Sequence, residues 1–207
     1  MTQASSPALR RALWGSLLVV LLAVAVAAVL QRSRQSEPPP VLGHAPEFAL
    51  TNRDGRTVRT ADLVGKPWIA DFVFTRCALS CPVLTARMSR FNRDLPDDLD
   101  LHLVSFSVDP EHDTPAVLAR YAESYSAPDH WLFLTGGRDE MLHIIRDGFK
   151  LALDPAPPPG MASEKEPILH STRFVLVDAQ GDIRGYYDGM AGEAMEQLER
   201  DLEALTP

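Results

Sequence analysis

The chain has 207 residues, 45% of them hydrophobic and 23% charged. That length and composition suit one globular domain with an appendage and exclude a wholly disordered chain. The formal charge is −8, and the stretch after Pro40 carries 16 basic and 27 acidic residues, a formal charge of −11; this balance argues against a nucleic-acid partner, which needs a basic face, and suits cations, basic partners or plain solubility.

Residues 1–11 form a short tail containing Arg10 and Arg11. Residues 12–30 carry no charge, and the run "LWGSLLVVLLAVAVAAVL" within them would extend roughly 27 Å as a helix, enough to cross a bilayer. Trp14 stands where an interfacial aromatic would. A cleaved signal peptide is the alternative, with Ala25 and Ala27 as small residues at a cleavage site. The apolar run is longer than the usual signal core of about 7–15 residues, which favours a retained transmembrane anchor. Arg10 and Arg11 before the span and Arg32 and Arg34 after it give only a slight bias towards a cytoplasmic N-terminus. Residues 31–40 read as a polar linker stiffened by three prolines.

Residues 41–207 read as a single α/β domain. "TNRDGRTV" places a turn at Asp54-Gly55 between two short strands, and "PWIADFVFT" reads as a buried strand. Both cysteines follow, after which Pro82 suits the first turn of a helix continued by Val83, Leu84, Met88 and Phe91. "LDLHLVSFSV" is a second strand, and "DTPAVLARYAESY" a helix capped by Asp113 or Thr114 with Pro115 at its first position. "WLFLT" is a short strand, and "GRDEMLHIIRDGF" a helix facing inwards through Met141, Ile144, Ile145 and Phe149. A long proline-rich loop, "LDPAPPPGMASEKEP", precedes the hairpin of "TRFVLVD" and "IRGYY" with its turn at Gly181-Asp182. "EAMEQLERDLEAL" closes the chain as a helix. Strands that alternate with helices and end in a hairpin predict a mixed sheet flanked by helices.

Cys77 and Cys81 are the only cysteines in the chain. At the end of a strand and the start of a helix, their sulfurs would face unpaired N–H groups and the positive end of the helix dipole, and Arg76 adds a cation. Four-residue spacing puts both on one helical face, ready for a metal ion or a small-loop disulfide. A purely structural staple is the weaker reading, because closing so short a loop removes little unfolded-chain entropy. Zinc in a closed structural site would take four ligands, whereas two thiolates and an imidazole suit copper. Among six histidines, His102 reads as a core or sheet-surface residue, His143 as a packing residue, and His44, His112 and His130 as solvated loop residues. His170 ends the long loop and opens a strand, from where it could approach the sulfurs.

The pieces "APEFAL", "FVFTRCALSCP", "SVDPEHDTP", "WLFLTG" and "HSTRFVLVDAQGDIRGYYDG" resemble the Sco/SenC family of membrane-anchored, thioredoxin-like copper proteins that serve assembly of the binuclear copper centre of cytochrome c oxidase. The resemblance implies a thioredoxin-like domain outside the cytoplasm, copper as Cu(I) or Cu(II), and Cys77, Cys81 and His170 as its ligands. It implies as partner the copper-accepting subunit of the oxidase or another copper chaperone. Two departures stand out: Ala78 and Leu79 replace the proline and acidic residue usual after the first cysteine, and Leu169 replaces an acidic residue before the histidine.

Asp71 interrupts the apolar run "WIADFVF" on the face of Ile69 and Val73, six residues before Cys77. This resembles the buried aspartate of thioredoxins, which would move the proton of a cysteine thiol. The competing reading, an edge-exposed or hydrogen-bonded structural Asp, is slightly favoured by sequence alone. Two functions are therefore expected to compete or coexist: copper delivery through Cys77, Cys81 and His170, and thiol–disulfide exchange through Cys77 and Cys81 with Asp71.

Overall fold

The computed structural model describes residues 13–24, 26, 38–77, 80–96, 99–151 and 171–206. The chain divides into two compact units, Met1–Pro38 and Pro39–Pro207. In the first, residues 13–24 are helical, and Leu13, Trp14, Leu18 and Leu22 are each at least 60% exposed. Among the described residues no helix is long and apolar enough to cross a membrane. Residues 12, 25 and 27–30 of the expected anchor lie outside the described set.

The second unit is built on an eight-stranded mixed sheet. Its strands are β1 (Gly43–His44), β2 (Ala49–Asn52), β3 (Thr57–Arg59), β4 (Trp68–Val73), β5 (His102–Ser107), β6 (Trp131–Thr135), β7 (Arg173–Val177) and β8 (Asp182–Asp188). Across the sheet they run β1-β8-β7-β4-β5-β6-β2-β3. β4, β5 and β6 are parallel, whereas β7 returns antiparallel to β4. Four helices complete the unit: α1 (Ser80–Asp94), α2 (Pro115–Ser124), α3 (Arg138–His143) and α4 (Gly192–Glu203), with α3 running on as a π-helical turn, Ile144–Gly148.

β4 is central because its sequence allows nothing else. Trp68, Ile69, Phe72 and Val73 are strong strand formers, and a parallel strand covered on both faces needs a near-continuous apolar run. Every residue of β4 is buried. Trp68, Ala70 and Phe72 join the core formed with Met141, Ile144, Ile145 and Phe149. Phe72 stacks on Phe106 at 5.8 Å and meets Phe149 edge-on at 5.3 Å. Ile69 faces the opposite core, made with Leu84, Met88 and Phe91 of α1, Leu118 of α2 and Leu198 and Leu202 of α4. The alternation leaves Asp71 on the side of α1.

Both expected hairpin turns form, with Gly55 at φ +83° and Gly181 at φ +87°, the left-handed region that glycine enters without strain. α1 begins at Ser80, so that Cys81 stands at the helix start as expected and Pro82 keeps its place in the first turn, where no N–H is needed. At the far edge the buried Asp178 carboxylate receives the Arg184 guanidinium at 2.6 Å, and Arg184 also donates to the Pro39 carbonyl at 2.8 Å. This pair ties the first residues of the domain to β8.

Candidate functional site

β4 delivers the chain to a tight turn in which the Cys77 N–H donates to the Phe74 carbonyl at 3.2 Å. The Cys77 sulfur then lies at the start of α1, where it accepts the backbone N–H of Cys81 at 3.2 Å and stands 3.6 Å from the Ser80 hydroxyl. An amide at a helix start lacks an intrahelical acceptor, so the sulfur completes the helix as the helix orients the sulfur. Phe74 and the neighbouring Val108 pack around the pair, and no disulfide joins the two cysteines.

The cysteines are not equivalent. Cys77 retains 6% exposure and Cys81 none. Burial pushes the Cys81 thiol well above its ordinary range. Against the expectation that the helix start favours thiolate at both positions, loss of solvent at Cys81 outweighs the Phe74 backbone hydrogen bond that acts the other way. Arg76 also differs from expectation: its guanidinium is engaged by Asp109, through Nε at 3.0 Å and through a second nitrogen.

Asp109 belongs to the turn between β5 and α2, and that turn grips the cysteine loop a second time. The Asp113 carboxylate, fully buried, accepts the Thr75 hydroxyl at 2.6 Å, the Thr75 N–H at 3.2 Å and the Ser107 hydroxyl at 2.7 Å. Of the two residues expected as helix caps, Asp113 and Thr114, it is Thr114 that occupies the cap position of α2, with no side-chain hydrogen bond of its own. Sequence reasoning missed this role because the Asp113–Thr75 contact spans 38 residues; the only available signal was the acidic pattern of "SVDPEHDTP".

Asp71 lies beneath α1, paired in register with Ser105 of β5. It is 1% exposed, and neither carboxyl oxygen makes a hydrogen bond of ordinary geometry among the described residues. β4 is an interior strand, so Asp71 is not edge-exposed, and the Ser105 hydroxyl and its own backbone amide are the hydrogen-bonding groups that bear on its carboxyl. Burial raises its pKa to about 7, and the Ser105 hydroxyl offsets part of this. That hydroxyl already accepts the Trp131 indole N–H at 2.9 Å. Electrostatic coupling links Asp71 to Cys81, each ionised form disfavouring the other.

His170, Ala78, Leu79 and Leu169 lie outside the described residues. Within them no group of three His, Cys, Asp or Glu could hold a metal ion. Of the other histidines, His112 belongs to the turn between β5 and α2 that grips the cysteine turn. His143 is exposed and paired with Asp147 at 2.8 Å, a correction to its reading as a packing residue. His102 is half-buried at the start of β5, its pKa lowered by burial. His44 is paired with Asp182 at 3.0 Å, His130 with Asn92 at 2.7 Å, and His112 is exposed.

Residues 37–206 match the model of the SCO1/SenC family. A SCO1/SenC family lipoprotein from Bacillus anthracis str. Ames is similar in structure, with a TM-score of 0.71 and 33% identity over 80% of this chain and 96% of that one. BsSco, a member of the Sco family of cytochrome c oxidase assembly proteins in which a disulfide switch was identified, gives a TM-score of 0.70 and 31% identity over 82% and 98% of the two chains. ScoI of Bradyrhizobium japonicum, solved with copper bound, gives a TM-score of 0.62 and 26% identity over 76% and 98%. A dithiol turn at the end of a central strand, on a fold shared with these proteins and under a family match that spans nearly the whole second unit, leads to one assignment: the chain belongs to the SCO1/SenC family.

Proposed function

We propose that this protein binds copper through Cys77, Cys81 and His170 and delivers it to the copper-accepting subunit of cytochrome c oxidase, or to another copper chaperone, during assembly of the binuclear copper centre. The observation that carries the reading is the pair of sulfurs gathered in one turn at the end of β4. Two thiolates and one imidazole form a soft donor set suited to copper. The register of β4 and β7 supports His170 as the third ligand. Ala70 pairs antiparallel with Val175, so β7 begins at the end of β4 from which the chain turns to Cys77, and His170 directly precedes Ser171 at that end. The copper bound by B. japonicum ScoI and the oxidase-assembly role of the BsSco family point the same way.

Copper is cargo in this reading. When bound it draws on soft sulfur donors, and the chain's part is to hold Cys77 against the first turn of α1 and to keep both sulfurs reduced. The test is anaerobic copper titration of the full chain in detergent micelles, with and without His170→Ala. One copper ion per wild-type chain is expected, with affinity lowered at least about tenfold in the variant, since losing a ligand exceeds the roughly 10–100-fold cost of losing a ligand's supporting partner. Unchanged affinity in His170→Ala would remove the histidine from the site.

A second reading rests on the buried Asp71 carboxyl and the inequivalent cysteines. Cys77, the more accessible sulfur, attacks a partner's disulfide and Cys81 resolves the mixed disulfide, leaving the partner's cysteines reduced and able to take copper. The two activities are compatible, because copper binding needs the dithiol form.

Residues 12–30 are proposed as the membrane anchor, with the domain on the extracytoplasmic side. The B. anthracis relative is named a lipoprotein, and the uncharged stretch of residues 12–30 is the element of this sequence suited to hold the protein to a membrane. Protease added to intact spheroplasts is expected to digest the domain while the protein stays in the membrane fraction. Protection of the domain, or its recovery as a soluble species, would contradict this topology.

A further inference from the structure

The turn between β5 and α2 contributes nothing to the donor set, yet it holds the cysteine turn at two adjacent residues. Thr75 is fixed by its hydroxyl and its N–H to Asp113, and Arg76 by its guanidinium to Asp109. Asp113 has no access to solvent, and a carboxylate taken out of water is tolerated only when its oxygens are well supplied with donors. Three reach it: the Thr75 hydroxyl, the Thr75 N–H and the Ser107 hydroxyl. The helix beside it forgoes a side-chain cap, although an acidic residue one position earlier was available to the same turn. Two residues beyond Thr75, the Cys77 sulfur meets the Cys81 amide at 3.2 Å.

We propose that Asp113 is a positioning residue: through Thr75 it holds the backbone of Cys77 where its sulfur meets the first turn of α1, and it thereby sets the equilibrium between the dithiol and the disulfide of Cys77 and Cys81. Groups held close together react with each other at a high effective concentration, and loosening one of them lowers it. With the clamp intact, Cys77 is anchored on the end of the sheet and Cys81 on the helix, so closure of the S–S bond orders little further chain. Without it, residues Thr75 to Cys77 gain freedom that closure must remove again. Asp109 acts in the same sense on Arg76, more weakly because half of the arginine side chain is exposed.

The inference rests on the cysteine pair being functional and is independent of copper. The test is redox titration of the full chain in detergent micelles with glutathione and glutathione disulfide. Oxidation forms the Cys77–Cys81 bond and breaks the bond of glutathione disulfide, whose two sulfurs leave as thiols carrying the two electrons and two protons. The disulfide fraction is read by maleimide labelling and mass. Asp113→Ala is expected to lower the equilibrium constant for disulfide formation about tenfold, equivalent to about 30 mV towards a more oxidising couple. Thr75→Val, which removes only the hydroxyl, should shift it less in the same direction, and Thr75→Ser should restore the wild-type value. Arg184→Ala, a destabilising change at the far edge of the sheet, should leave it unmoved. An unchanged or more favourable disulfide in folded Asp113→Ala, or an equal shift in Arg184→Ala, overturns the proposal. Should Asp113→Ala fail to fold, Thr75→Val and Thr75→Ser decide the matter. Absence of copper binding by the wild-type chain would remove the metal reading and leave this measurement standing.

Discussion

Cys77→Ser and Cys81→Ser are each expected to lower copper affinity by at least about a hundredfold, measured by anaerobic competition of the full chain against a chromophoric Cu(I) chelator. A serine hydroxyl is a hard, neutral donor where a soft thiolate stood. Loss of a supporting group around a metal ligand already costs roughly 10–100-fold, and loss of the ligand itself should exceed that. The two variants should differ in a second measurement. Cys81→Ser leaves the sulfur that retains 6% exposure, whereas Cys77→Ser leaves a fully buried thiol whose pKa burial has raised. Since thiolate is the nucleophile, alkylation at neutral pH should be at least about tenfold slower in Cys77→Ser. Retained copper affinity in both serine variants would show that the sulfurs are not ligands. Equal alkylation rates would dispose of the division into an accessible and a resolving cysteine.

How far the sequence carried this picture depends on the range of each interaction. Strand β4 was legible because burial on both faces demands a near-continuous apolar run, which Trp68 to Val73 supply apart from Asp71, and the hairpins because Gly55 and Gly181 mark turns that need positive φ. α1 was legible in its periodicity and in its start at Cys81 and Pro82, but the local pattern could not show that Cys81 loses its solvent there. The clamp was illegible for another reason. Asp113 and Thr114 both suited a cap before Pro115, and nothing nearby in the chain signals that Asp113 is taken up by Thr75 instead. Arg76 was likewise read as an unshared charge until Asp109 appeared beside it. Asp71 was found from its place in the strand pattern, but whether a hydrogen bond satisfied it depended on Ser105 and Trp131, two strands supplied from elsewhere in the chain.

Asp71→Asn is expected to slow exchange between the Cys77/Cys81 pair and a small disulfide by roughly 10²–10³-fold near neutral pH, the usual contribution of a positioned proton acceptor. Burial disfavours the ionised carboxyl more than the Ser105 hydroxyl supports it, and a pKa of about 7 leaves it able to take and return a proton where the cell works. Cys81 needs such a group, because its buried thiol resists ionisation. Stopped-flow exchange across pH should therefore show a wild-type inflection near 7 that the variant lacks. The same carboxyl makes a separate prediction for stability. Its folded-state pKa lies above the unfolded value of about 3.9, so between those values the folded chain binds more protons than the unfolded one. Its contribution is complete below about pH 4 and is lost as pH rises through 7, a change of roughly 4 kcal/mol. Asn cannot ionise, so the variant should gain on the wild type as pH rises and exceed it in stability at pH 8, as read by denaturant unfolding. Copper affinity of the reduced chain should change little, since Asp71 is not among the proposed ligands. Matching exchange rates together with the stability crossover would make Asp71 a buried charge without a chemical task. Matching rates without the crossover would mean that the carboxyl finds a partner that keeps it ionised.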